Sequence, residues 1–192
     1  DRQFSLQDEK QDFELNPFEI EALPHLSGRI LDFGCGLGNL SIAAGQKGCR
    51  VLAVDASPAA ISSLQRRVAE NDLPIEARQA DLRTYQITDN YDCVVSIGLL
   101  SFLDCTTAIR VLDMLQDSVR PGGIAIINSL IAGTTWIGMF NAADCCLLAR
   151  NELHDRFSGW TVLQSDFRDF PALGATVKSF VTLTARKPAG EF

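Results

Sequence analysis

The glycine-rich stretch at residues 29–40, RILDFGCGLGNL, is the feature that most restricts the fold. A short apolar run precedes three glycines at alternate positions, Gly34, Gly36 and Gly38, and a helical pattern follows them. Glycines between a buried strand and a helix let a ligand approach the backbone N–H groups closely, and the helix N-terminus adds a positive partial charge. The stretch therefore predicts a strand–loop–helix unit that binds a ligand beyond the carboxyl end of the strand.

Apolar runs that are typical of buried strands alternate with helical patterns along the chain. Strands are predicted over residues 29–33, 50–55, 75–81, 92–98 and 124–130, and helices over residues 17–26, 37–47, 58–71 and 106–119. Ser57 and Pro58 are typical of the cap and first position of the third helix. This alternation predicts a parallel sheet with helices on both faces.

The C-terminal part of the chain has a different pattern. After a short predicted helix near 150–157, residues 160–167 and 176–186 form two strand-like runs joined by a short connection, which favours an antiparallel pair. We therefore expect a Rossmann-like α/β fold in one domain over residues 1–192. Its seven-stranded sheet is mostly parallel and has an antiparallel C-terminal edge.

Composition narrows the classes of partner. The 192 residues carry a net charge of −7 and contain 46% hydrophobic residues. Nucleic acid is disfavoured because phosphate binding needs a clustered basic face. No apolar run is long enough for a membrane helix, and the polar N-terminus has no signal region. The six cysteines lack metal-ligand spacing, which disfavours a metal site and predicts a cytoplasmic protein with buried, reduced thiols at Cys49 and Cys93.

Three classes of ligand use a loop of this kind: a nucleoside triphosphate, a dinucleotide and a sulfonium nucleoside. A triphosphate site needs a lysine where Asn39 follows Gly38. A dinucleotide site needs GxGxxG, and here Asn39 occupies the sixth position while the third glycine comes one residue early. The remaining pattern is an acid, Asp32, two residues before three alternating glycines.

Two further carboxylates follow predicted strands. Asp55 ends the second strand, where a carboxylate accepts hydrogen bonds from both hydroxyls of a ribose that lies over the loop. Folds that bind NAD also place a carboxylate at this position, so Asp55 indicates a ligand that contains adenosine but does not distinguish between such ligands. Asp81 follows the third strand in ARQADLRTY.

Together with YDCVVSIG and PGGIAII, these motifs resemble those of the class I S-adenosylmethionine (SAM) methyltransferases over residues 29–130. The resemblance implies SAM as cofactor and S-adenosylhomocysteine as product. It also implies that Asp81 accepts from the adenine N6 amine and that the Leu82 N–H serves adenine N1. The cofactor-binding set so implied is Asp32, Gly34, Gly36, Gly38, Asp55, Ala56, Asp81, Leu82 and Ser96. A structural role, bracing the loop, stays open for Asp32.

The C-terminal stretches NELHDRFSGWTVLQSD and TVKSFVTLTARKP are similar to those of the tellurite-resistance methyltransferase family. That family's His-Arg pair is missing; only Arg168 is present in DFRDFP, and residues 131–149 have no counterpart. Motifs of nucleic-acid and protein-arginine methyltransferases are absent too. The resemblance therefore implies methyl transfer to a small molecule, with a chalcogen or another soft nucleophile among the expected acceptors.

No catalytic residue is assigned, because a soft anion attacks the sulfonium methyl group without a general base. We expect residues 1–28 to form an N-terminal cover and first helix, and residues 131–158 to form a substrate-side insertion. Trp136, Met139 and Phe140 are either apolar walls of the site or ordinary packing residues. His154 and the arginines Arg150, Arg156 and Arg168 are predicted to lie on the surface, and Cys145 and Cys146 to be buried packing residues.

Two other functions remain open at this point. One is a SAM- or nucleoside-binding domain without catalysis, and the other is an NAD-dependent oxidoreductase, which Asn39 and Asp81 disfavour. The sequence leaves the methyl acceptor and the oligomeric state undetermined.

Overall fold

The structure, a computed structural model, describes residues 2–138, 140 and 144–190. Its strands are β1 (Arg29–Phe33), β2 (Arg50–Asp55), β3 (Ile75–Gln79), β4 (Tyr91–Ile97), β5 (Val119–Leu130), β6 (Thr161–Ala172) and β7 (Thr176–Arg186). Its helices are α1 (Arg2–Glu9), α2 (Pro17–Ala22), α3 (Asn39–Gln46), α4 (Pro58–Asn71), α5 (Cys105–Asp117) and α6 (Glu152–Arg156). Within these residues, no helix is long and apolar enough to cross a membrane.

The seven strands form one sheet in the order β3-β2-β1-β4-β5-β7-β6. Strands β1 to β5 are parallel, and β7 pairs antiparallel with both β5 and β6. The predicted fold, a mostly parallel sheet with an antiparallel C-terminal edge, is confirmed. The strand order reverses between β1 and β4, and this switch point is where open α/β sheets bind ligands.

The core consists of two apolar layers, one on each face of the sheet. Successive residues of a strand point to opposite faces, so Ile30 packs with α3 and α4 whereas Leu31 packs with α5. The predicted cap of α4 is present, since the Ser57 hydroxyl accepts from Ala60 N–H at 3.1 Å. This packing holds the carboxyl ends of β1, β2 and β4 at one edge of the sheet.

Several element boundaries differ from those predicted. Residues 17–26 split into α2 and a 3₁₀ turn at Leu23–His25, in which Pro24 supplies no N–H. Strand β3 stops at Gln79, and β6 continues to Ala172 because its whole length pairs with β7. Strand β5 begins at Val119, ahead of the Pro-Gly-Gly turn.

Two helices also differ from the prediction. Residues 2–9 form α1, where only a polar cover was expected. Helix α5 covers Cys105–Asp117 rather than the predicted residues 106–119, and its buried face is formed by Ala108, Val111, Leu112 and Leu115.

Candidate cofactor site

The glycine loop after β1 has a tight turn that only glycine accommodates well. Gly34, Gly36 and Gly38 all have positive φ angles, of 84°, 53° and 70°. A Cβ on Gly36 would lie 3.1 Å from the Phe4 ring, and a Cβ on Gly38 would lie 2.5 Å from the Leu64 side chain. A Cβ on Gly34 would lie 3.0 Å from the Leu99 side chain, so all three glycines leave room for side chains packed directly onto the loop.

Asp55, at the end of β2, fixes this loop from beside it. Its Oδ2 accepts from Gly36 N–H and its Oδ1 accepts from Ser57 N–H, each at 2.8 Å. Asp55 is 9% exposed and lines a cavity above the loop. It thus orders the loop and borders the ligand space at the same time.

Asp32, in β1, lies beneath the same loop and is buried. Its Oδ2 accepts from the Ser41 hydroxyl at 2.6 Å. Burial raises the pKa of Asp32 to about 7, and the negative charges of Glu19 and Asp55 raise it further, against the Ser41 hydrogen bond. A positively charged group in the cavity would stabilise the ionised form of Asp32.

A cavity of about 620 Å³ opens above the glycine loop. Its floor is formed by the loops that follow β1, β2 and β4, which include Ile97, Gly98 and Leu99. Its other wall comes from the N-terminal 19 residues, whose lining members are Gln3, Phe4, Gln7, Glu14, Asn16 and Glu19. Part of the segment that was expected to form an N-terminal cover therefore lines the cavity, and its role as a cover stays a prediction.

The cavity brings together six of the nine predicted cofactor residues. Those that line it are Asp32, Gly34, Gly36, Asp55, Ala56 and Leu82. Gly38 lies beneath the loop against Leu64. Ser96 is fully buried in β4, and its hydroxyl finds no hydrogen-bond partner among the described residues.

Asp81 lies outside the lining and is exposed. Its Oδ1 accepts from the backbone N–H of Arg83 at 3.0 Å and from Arg83 Nε at 3.1 Å. The Arg83 side-chain hydrogen bond lowers the pKa of Asp81. A role for Asp81 in adenine binding stays a prediction, and it requires the carboxylate to turn away from Arg83.

The N-terminal wall is held in place by polar contacts with α4. Asp8 Oδ1 accepts from the Ser63 hydroxyl at 2.5 Å and from Arg66 Nη2 at 2.7 Å, which fastens α1 to α4. Arg67 Nη1 donates to the Leu37 carbonyl at 2.9 Å and to Asn39 Oδ1 at 3.0 Å.

Arg67 also joins the glycine loop to the N-terminal segment. Its guanidinium lies 3.9 Å from the centre of the Phe13 ring, and Asn39 Nδ2 donates to the Glu14 carbonyl at 3.3 Å. The sequence predicted a cover but none of these contacts, because two adjacent arginines at positions 66 and 67 are typical of an exposed helix surface.

The cavity lining is acidic. Its carboxylates are Glu14, Glu19, Asp32 and Asp55, and in the described part of the chain no Lys, Arg or His lines it. Burial raises the pKa of Glu19, against the hydrogen bond that its Oε2 accepts from Asn16 N–H at 2.8 Å. The site is therefore suited to a ligand that carries positive charge.

The predicted substrate-side segment approaches the cavity through aromatic contacts. Phe102, which lines the cavity, packs against Phe140 with ring centres 4.9 Å apart, and Trp136 lies 6.2 Å from Phe140. Met139 lies outside the described residues.

The cysteines of this segment differ from the expected pair of packing residues. Cys146 is buried and disulfide-bonded to Cys105 at the start of α5, whereas Cys145 is partly exposed. Cys49 and Cys93 are buried free thiols, as expected.

The other polar residues considered from the sequence make contacts away from the cavity. Arg168 pairs with Glu21 at 2.5 Å, Arg156 pairs with Glu152, and Arg150 lies over the Phe167 ring. His154 Nε2 is 2.6 Å from the Ser165 hydroxyl. Among the described residues, no group of His, Cys, Asp and Glu is arranged to hold a metal ion.

Comparison with known proteins adds family evidence to this geometry. Residues 30–123 match a family model described as a methyltransferase domain. The chain is 26% identical to Hemagglutinin 1 of Eikenella corrodens over 166 residues, or 83% of this chain and 55% of that protein. It is 32% identical to the carboxy-S-adenosyl-L-methionine synthase of Erwinia tasmaniensis over 144 residues, which are 71% of this chain and 55% of that protein.

Among solved structures, TehB from Haemophilus influenzae has the same fold, with a TM-score of 0.77 and 23% identity over 90% of this chain and 62% of that chain. The chain spans about half the length of the curated relatives it matches. The motifs, the sheet order and the matched domain agree, and together they support a class I SAM-dependent methyltransferase.

Proposed function

We propose that this domain binds SAM and transfers its methyl group to a small-molecule acceptor, leaving S-adenosylhomocysteine. The observation that carries the proposal is the charge of the cavity, in which four carboxylates and no basic side chain of the described residues lie around a bare glycine loop. SAM has a sulfonium and an ammonium group against one carboxylate, so it enters as a cation. Opposite charges attract strongly where water is partly excluded.

The residues present fit this cofactor. Gly36, Asp55 and Leu82 line the same cavity, where the ribose and adenine are expected. Asp32 lines the cavity beneath the loop, where the methionine end of the cofactor is expected. The cofactor supplies a methyl group that its positive charge already activates. The protein's part is to bind, to orient and to exclude water, which α1 and Phe4 do from above the loop.

The same charge argues against the other adenosine ligands. NAD carries two phosphates, and a carboxylated SAM carries one more negative charge than SAM. Neither would find a cation among the described lining residues. A SAM-binding domain without catalysis remains the second candidate, and only a transfer assay separates it from an enzyme.

We infer that the methyl acceptor is a small molecule. A chalcogen or another soft nucleophile is supported by the resemblance of the C-terminal strands to the tellurite-resistance family and by the likeness in fold to TehB. Such an acceptor needs no general base. As an anion, however, it would meet the carboxylates of the cavity without a cation to offset them.

Calorimetric titration of the pure protein with SAM, S-adenosylhomocysteine and NAD tests the cofactor. We expect micromolar or tighter binding of the first two and no heat with NAD. NAD binding with no SAM signal would overturn the proposal. Mass-spectrometric detection of S-adenosylhomocysteine formed from SAM with a pooled set of small-molecule acceptors then distinguishes an enzyme from a binding domain.

A further inference from the structure

The cavity holds more negative charge than its glycine-loop wall alone accounts for. Asp32 lies in β1 and Asp55 ends β2, on the side of the cavity where the cofactor is proposed to bind. Glu14 and Glu19 come from the opposite, N-terminal wall. SAM brings one net positive charge, so two carboxylates on the far wall remain for a second ligand.

Glu19 is the better placed of these two carboxylates. Glu14 is exposed at the rim, whereas Glu19 is half-buried at the first turn of α2. The Asn16 side chain accepts from the backbone N–H groups of Phe18 and Glu19, and Glu19 Oε2 accepts from Asn16 N–H. This reciprocal pair fixes the Glu19 side chain at the cavity wall, since rotation would leave a backbone donor unpaired.

Two arginines of neighbouring elements are engaged in other contacts. Arg67 donates to the Leu37 carbonyl and Asn39, and Arg168 pairs with Glu21 and Asp166. The residues outside the described ranges are, in sequence, Asp1, Met139, Asn141, Ala142, Ala143, Glu191 and Phe192, and none of these is basic. An anionic acceptor would therefore meet the carboxylates without compensation.

Building on the proposed methyl transfer, we propose that the acceptor is an amine, which binds as an ammonium ion at Glu19 and gives that carboxylate its proton. The freed nitrogen lone pair forms the N–C bond to the methyl group, while the C–S bond breaks and its electron pair returns to sulfur. The methylated product leaves as an ammonium ion. Glu19 returns its proton to solvent, so each turnover releases one proton.

Three probes with one skeleton and different charge test the acceptor class: phenethylamine, phenethyl alcohol and phenylacetate. Each is titrated calorimetrically into protein saturated with S-adenosylhomocysteine, and sodium selenide represents the soft anion. We expect phenethylamine to bind at least about ten-fold more tightly than the alcohol and the two anions. Tighter binding of either anion, or no binding of the amine, would overturn the amine assignment.

Glu19→Gln removes the charge and keeps the acceptor oxygen for Asn16 N–H, so α2 keeps its cap. We expect it to weaken phenethylamine binding at least about ten-fold and to leave the affinity for S-adenosylhomocysteine unchanged. Glu70→Gln, at an exposed position of α4, is the matched control and should change neither. If Glu19→Gln weakens S-adenosylhomocysteine equally, Glu19 serves the cofactor and the amine assignment fails. If wild-type protein binds no S-adenosylhomocysteine, the proposed function itself fails.

Discussion

The two walls of the cavity are built in different ways. The glycine-loop wall stands on the carboxyl ends of buried strands, and backbone N–H groups, Asp55 and the Ser41–Asp32 hydrogen bond fix its shape. The N-terminal wall includes the short helix α1, which has no buried residue and is joined to α4 by Asp8, and Phe13, which packs against Arg67 of α4. The first wall is part of the core, while the second is attached to it by a few polar contacts.

This difference predicts different responses to substitution. Changes in the glycine-loop wall should affect folding as well as binding, because its residues contact the core. Changes in the N-terminal wall should affect ligand affinity with little loss of stability, because exposed polar contacts contribute modestly to folding.

The largest effect is expected for Gly38→Ala. Its φ of 70° strains an alanine, and the added Cβ would lie 2.5 Å from the buried Leu64 side chain. Strain and overpacking together should lower the free energy of unfolding by about 3 kcal/mol in urea denaturation. Gly48→Ala is the control, since φ is 85° there but no atom lies within 4 Å of the new Cβ. An equal loss in both variants would show that Leu64 packing is not responsible.

Asp32→Asn tests how the buried carboxyl group of Asp32 makes the stability of the protein depend on pH. The pKa of Asp32 rises from 3.8 to about 7 on folding, so the folded state holds this proton more tightly than the unfolded state. The wild-type protein therefore loses stability as pH rises from about 4 through 7. The pKa shift sets an upper limit of ~4 kcal/mol on this loss of folding free energy. Relaxation of the protein around the buried charge reduces the expected loss to about 2 kcal/mol.

The measurement is the difference in unfolding free energy between Asp32→Asn and the wild type, without ligand, at several pH values. The variant should match the wild type near pH 4 and be the more stable near pH 8. A difference that does not change with pH would show that Asp32 titrates normally.

Asp55→Asn tests the role of the carboxylate that touches both the loop and the ligand space. One amide oxygen cannot replace two acceptor oxygens, so either Gly36 N–H or Ser57 N–H loses its partner. We expect affinity for S-adenosylhomocysteine to fall at least about ten-fold in calorimetry. Glu76→Gln, an exposed carboxylate of β3, should bind normally. Wild-type affinity in Asp55→Asn would contradict the ribose assignment.

The same contrast explains what the sequence could and could not predict. Gly34 and Gly36 were predicted because a left-handed turn after a buried strand favours glycine, and Asp55 because it ends the next strand. The sheet followed from apolar periodicity, and the antiparallel edge from the short connection before β7.

The N-terminal wall depends on contacts between distant residues, which no local pattern encodes. Glu19 was missed as a cavity residue because its sequence neighbours show only a helix start. The Cys105–Cys146 disulfide joins residues 41 positions apart, and their spacing matches no known pairing motif.

The smallest effect on stability, and the sharpest test of the contrast, is expected for Arg67→Met. Methionine keeps an unbranched apolar stem against Phe13 but cannot donate to the Leu37 carbonyl and Asn39. Since the guanidinium is partly exposed, unfolding should become easier by only about 1 kcal/mol. Affinity for S-adenosylhomocysteine should nevertheless fall about five-fold, because the loop and the cover lose their common anchor. Arg66→Met, which removes the exposed ion pairs with Asp8 and Glu70, is the control and should lose less affinity. If Arg67→Met destabilises the protein as much as Gly38→Ala while binding normally, the N-terminal wall is part of the core and the contrast between the two walls is wrong.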